Sequence, residues 1–207
     1  MKKYIAIICI SFLSLVSCNK NETKSASPEK PQPETIAPKD TVGNKTPEEA
    51  EDPCVAGTPE PIIRRDHVAN YKFKILTKQT LEETALLNNG DHVSIIIGGC
   101  EYYTLTFRFE TSRFNDPTDD IAAWYANAHD LVTENLATWG NPNIEIKRGL
   151  MALSDYRNKN IENGQLKFNE EIDFDSDEIR NFVILEKIEK LENGKFAVTV
   201  VFSRGPL

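Results

Sequence analysis

The chain has 207 residues, with 24 Lys and Arg against 32 Asp and Glu, and a formal net charge of −8. That balance argues against nucleic acid as a partner and against electrostatic adhesion to anionic lipid. Hydrophobic residues make up 40% of the chain, enough for the core of one ordinary domain. Lys2 and Lys3 open the sequence, and residues 4–16 form an uncharged apolar run with Ile5, Ile7, Ile8, Ile10, Phe12, Leu13 and Leu15. The run falls short of the roughly 20 apolar residues a spanning helix needs. A basic start, an apolar middle and a small residue before the break fit a secretory signal.

The run closes on Leu15-Val16-Ser17-Cys18. This tetrapeptide resembles the lipobox of bacterial lipoprotein signal peptides, in which an aliphatic residue and two small ones precede an invariant cysteine. The resemblance covers residues 1–18. It implies that residues 1–17 are removed as a signal peptide, that the Cys18 thiol takes a diacylglyceryl group, and that the new amino end is acylated. Two or three acyl chains give a stable anchor where one gives marginal membrane binding. The implied location is the cell envelope, with the membrane as a partner through the lipid on Cys18. Asn19, where an Asp would signal inner-membrane retention, points to the outer membrane. Loss of Lys2 and Lys3 with the signal deepens the net charge to −10.

Residues 18–53 then read as a tether. Residues 19–53 hold six of the eleven prolines, and Ile36 and Val42 are their only bulky aliphatics. Such a segment cannot bury enough apolar surface to offset the entropy of ordering. A flexible linker of this length has a typical span of roughly 30–40 Å and a fully extended reach on the order of 100 Å.

Residues 54–207 form the expected single domain, of about 150 residues. Cys9 leaves with the signal and Cys18 carries lipid, so Cys54 and Cys100 stand as an isolated pair. In an exported, oxidising compartment a disulfide between them is the natural reading. Closing a loop of that length stabilises by about 4 kcal/mol at most in the chain-entropy picture.

Within the domain, residues 71–75 alternate apolar and polar, the pattern of a half-buried strand. Residues 77–87 fit either a short helix or a strand. Asn88-Asn89-Gly90-Asp91 is a turn, and residues 92–97 form a strand whose isoleucine run suggests that both faces are covered. Gly98-Gly99 marks a bulge or tight turn. Residues 100–110 are the most regular strand, with Tyr103, Leu105, Phe107 and Phe109 on the core face. Its other face carries Tyr102 and Arg108, residue types common at interfaces, and these two are the candidate interaction surface.

Residues 116–139 read as one long amphipathic helix, with Asp116 as N-cap, Pro117 at the first position and Gly140 as the stop. Ile121, Trp124, Tyr125, Ala128, Val132 and Trp139 fall on one stripe. Residues 144–160 suit a shorter second helix, and residues 165–174 a strand. Glu192-Asn193-Gly194 is a hairpin turn between strands at 180–191 and 195–204, whose inner face is Phe196, Val198, Val200 and Phe202. The expected fold is α+β, a mainly antiparallel sheet with the long helix packed on it.

The motifs of common hydrolases, nucleotide binders and zinc proteases are absent. His67, His92 and His129 each adjoin an aspartate, but no pair has the spacing of a helical metal site. Asp173, Asp175 and Asp177 resemble the start of an EF-hand calcium loop, yet Glu178 replaces the turn glycine and Ile184 stands where the bidentate glutamate belongs. No cofactor and no catalytic residue is expected. The sequence thus points to an anchored envelope lipoprotein with a non-catalytic domain that binds a protein or an envelope polymer. A hydrolase of envelope polymers, with carboxylates as acid and base, is the alternative, and a calcium-dependent module the third.

Overall fold

The computed structural model describes residues 57–175 and 178–207. The chain divides into two units, residues 1–48 and 49–207, and the described residues all belong to the second. The signal peptide, Cys18, the linker, Cys54 and Asp177 lie outside the described residues.

The domain is α+β: one seven-stranded antiparallel sheet with two helices. Strands β1 (Ala69–Thr77), β2 (Thr80–Leu86), β3 (His92–Gly98) and β4 (Tyr103–Thr111) form a meander. The chain then leaves the sheet through α1 (Ile121–Glu134) and α2 (Ile146–Asn160). It returns at the far side as β5 (Ile172–Asp173), β6 (Asn181–Lys190) and β7 (Phe196–Arg204). β7 slots beside β4, giving the order β1-β2-β3-β4-β7-β6-β5.

Alternation along the strands sets one apolar face. Val93, Ile95 and Ile97 of β3, Leu105, Phe107 and Phe109 of β4, and Val198, Val200 and Phe202 of β7 are all fully buried. The opposite face carries Thr84, Ser94, Thr106, Arg108 and Glu110, all partly accessible. Only one face of β3 is therefore covered: Ile96 is 38% exposed, against the expectation that its isoleucine run is buried on both sides.

The long helix expected over 116–139 is corrected to the 14 residues of α1, and the second helix suited to 144–160 forms as α2, at 15 residues the longer of the two. Asp116 does not cap. Its carboxylate accepts from Asn127 Nδ2 at 2.8 Å, and the Asp120 side chain caps α1 by accepting from Ala123 N at 3.0 Å. Pro117 closes a turn before the helix, its carbonyl accepting from Asp120 N and from Trp124 Nε1. Asn135 ends α1, so Trp139 lies beyond the helix, where it bridges to Ile63 and packs tilted against Phe107, with ring centroids 5.2 Å apart. α2 approaches the sheet through Gly149, where a Cβ would lie 2.7 Å from the Phe202 ring and 3.0 Å from Phe174. Residues 77–87 resolve into the end of β1, a turn and β2, and the strand expected over 165–174 shrinks to the two residues of β5.

Candidate functional site

Tyr102 and Arg108, the candidate interaction surface, stand apart along the chain. Six residues of extended chain separate them by about 20 Å. Tyr102 precedes β4 and sets its ring edge-on to Phe182, with centroids 6.2 Å apart. Arg108 sits midway along β4 on the uncovered face, ion-paired with Glu110. Strand register puts Thr84, Ser94, Arg108, Thr199 and Lys187 in one row across that face. A concavity of about 440 Å³ lies over the row. Its polar groups are largely engaged with one another: Ser94 donates to Glu82 at 3.0 Å and Lys187 pairs with Glu189 at 3.3 Å.

Asp173 and Asp175, the calcium candidates among the described residues, are held by arginines. Arg180 binds Asp173 and Glu171, each at 2.7 Å, and these two carboxylates raise its pKa, Glu171 foremost. Asp175 is ion-paired with Arg148. A cation would have to displace both guanidinium groups to use these oxygens. The histidines sit apart, His67 beside Asp66 at 3.6 Å, His129 beside Asp130 at 3.3 Å and His92 on β3. Asp91 pairs with Arg113 at 3.2 Å rather than with His92. Among the described residues no group of three metal-ligating side chains forms. Cys100 is disulfide-bonded, and the other three cysteines of the chain all lie outside the described residues.

Two features at the β1 side were not foreseen. The first is Glu83 on β2, fully buried in an otherwise apolar row between Leu81 and Ala85. Its carboxylate accepts from Ile62 N at 2.7 Å, from Ile63 N at 3.2 Å and from the Tyr71 hydroxyl at 2.8 Å. A buried carboxylate is tolerable only when so satisfied. The lead-in segment is gripped from its other side too, since Arg64 N donates to Thr138 O and Gly140 N to Ile62 O. Burial, then the Glu83 contact, raises the Tyr71 pKa. Burial, with Glu60 and Glu83 nearby, pushes Tyr103 up to about 12. A charge at the centre of an alternating apolar run was the available signal for Glu83.

The second feature is β1 itself. It was expected to be half-buried, but Phe73 is 51% exposed, Ile75 69% and Leu76 41%. Phe73 and Ile75 pair in register with Glu83 and Leu81, so they lie on the helix-side face of the sheet. Neither helix makes a substantial contact with β1 there. β1 is an edge strand, and among the described residues nothing pairs with its outer side.

Among the described residues no helix is long and apolar enough to cross a membrane. Compared with protein-family models, with curated proteins and with solved structures, the chain matches none.

Proposed function

We propose that this protein is a lipid-anchored envelope lipoprotein whose domain binds a partner without catalysis, and that the β1 edge is its binding surface. The observation that carries this reading is the exposed Phe73, Ile75 and Leu76 on an unpaired edge strand. An apolar edge left open is an aggregation hazard unless something occupies it. The lipobox at Leu15–Cys18 and the proline-rich linker support the anchored half of the reading. In this reading the lipid on Cys18 holds the domain at the outer membrane, the linker sets its reach, and a Cys54–Cys100 disulfide secures the lead-in segment close to β3 and β4.

The test is a crosslinking pull-down of the lipidated protein from its native envelope, beside Cys18→Ala and a Phe73→Ser, Ile75→Ser double variant. A discrete protein captured by the native chain and lost with each variant is the expected result. Capture that survives the double variant would remove β1 as the surface. No partner above background would remove the protein-binding reading itself.

A further inference from the structure

We propose that β1 receives an extended segment of a partner protein by strand addition, and that this segment alternates apolar with acidic residues. The proposal rests on β1 being the binding surface and specifies how it binds and what it selects.

The register defines what a neighbouring strand would meet. Lys72 and Lys74 pair with Thr84 and Glu82 on the uncovered face, while Phe73 and Ile75 pair with Glu83 and Leu81 on the helix-side face. An added strand running along residues 72–75 therefore sees Phe and Ile on one face and two lysines on the other. Its apolar residues would pack beside Phe73 and Ile75 and extend the apolar face by one strand. Lys72 and Lys74 enter no ion pair within the described residues. Glu82, the cross-strand neighbour of Lys74, already accepts from Ser94. Acidic side chains directly opposite the lysines complete the pairing that the sheet itself leaves open.

The same pattern argues against a second copy of this chain. Antiparallel pairing of two β1 strands centred on Phe73 sets Lys72 against Lys74 of the partner copy twice over, and like charges placed opposite destabilise. The net charge of −8 would by itself favour a basic partner. At physiological salt the field of distant carboxylates fades within about 8 Å, so the lysines at the contact decide the selection. The backbone contributes the remainder of the affinity: every second residue of an edge strand offers an outward N–H and C=O.

The experiment uses the full chain with Cys18→Ala and nine-residue fluorescent peptides, matched in length to β1. One alternates Val and Glu, a second Val and Lys, and a third is the Glu peptide N-methylated through its centre. The Glu peptide is expected to bind, the Lys peptide about tenfold more weakly, and the N-methylated one not at all. Hydrogen exchange should slow at alternate amides of residues 72–75 and stay unchanged in β6. Lys72→Glu with Lys74→Glu should invert the order of the Glu and Lys peptides. Equal binding of the N-methylated peptide would overturn strand addition, and equal binding of the Lys peptide would overturn the acidic selection. Concentration-dependent dimerisation lost with Phe73→Ser and Ile75→Ser would show the occupant to be a second copy. If a captured envelope protein depends on Phe73 and Ile75 but no peptide binds, the surface stands and strand addition falls. If neither capture nor peptide binding depends on those residues, both fall.

Discussion

The two edges of the sheet are built in opposite ways. On the far side β5 pairs with Val183 and Phe182 of β6, Phe174 N and Asn169 N donate to the carbonyls of Asn181 and Leu185, and β6 beyond Leu185 protects itself. Its register slips between Leu185 and Lys187, and the residues that follow alternate charge, with Lys187 paired to Glu189. A bulge and a run of charges are the usual defences of an edge strand. β1 has register shifts at both ends and two lysines, yet leaves Phe73, Ile75 and Leu76 in solvent. An edge that carries defences along with an apolar triplet is what the proposed selective occupancy requires. The neighbouring Glu83 network fits that reading, because it fixes the strand behind the exposed one.

The largest effect is expected at Glu83, which supports the exposed edge. Glu83→Ala leaves two buried backbone N–H groups and the Tyr71 hydroxyl without their acceptor, and should destabilise by about 2–4 kcal/mol. A urea titration with a lowered midpoint and an unchanged slope would record it. Glu83→Gln keeps an acceptor and should lose less. On the far side of the domain, Gly149→Val drives a side chain into Phe202 and Phe174 and should destabilise by about 1–3 kcal/mol. Thermal melts should show a lowered Tm, with binding at β1 intact below it.

Alkali probes the β1 side through Tyr103. Its pKa is raised to about 12 from the usual 10.0, so the unfolded chain ionises first. The stability that Tyr103 contributes is present in full below pH 10 and is lost as pH rises through 12. Urea midpoints measured across that window should fall, and Tyr103→Phe should flatten the fall. The smallest effect on stability belongs to the edge itself. Phe73→Ser with Ile75→Ser removes side chains that face solvent, and should move the unfolding free energy by within about 0.5 kcal/mol. The same pair should abolish partner capture, which separates a binding surface from a structural one.

Most strands were legible because one face of the sheet is buried and the other is not. The alternation of Tyr103 to Phe109 and of Phe196 to Phe202 gave both their existence and their facing. The hairpin turn at Asn193-Gly194 was legible from its chemistry, and Gly194 takes the positive φ, +77°, that the turn requires. The long helix misread the region from Asp116 because Asp-Pro is a good helix start in isolation. Here Pro117 uses its carbonyl to hold Trp124 Nε1, and the start falls to Asp120. Trp139 kept helical spacing by coincidence and is buried by a bridge to Ile63 that no local pattern encodes. β1 shows the limit most clearly. Alternation marks which residues share a face, but whether that face is covered depends on how far α1 and α2 extend over the sheet. Of the candidate site, Arg108 lies on the face that the alternation gave it, and Tyr102 lies just before the strand begins. Glu83 and the exposed edge follow from tertiary placement.

The most direct measurement is the accessibility of β1 in the native envelope. Ile75→Cys and, as a control on the far edge, Glu189→Cys would each be labelled with a membrane-impermeant maleimide, in permeabilised envelopes and after purification. If β1 is occupied in the envelope, Cys at 75 labels slowly there and rapidly in the purified chain, while Cys at 189 labels at the same rate in both. Equal, rapid labelling at 75 in both settings would contradict that occupancy, because the apolar edge would then stand empty where the protein works.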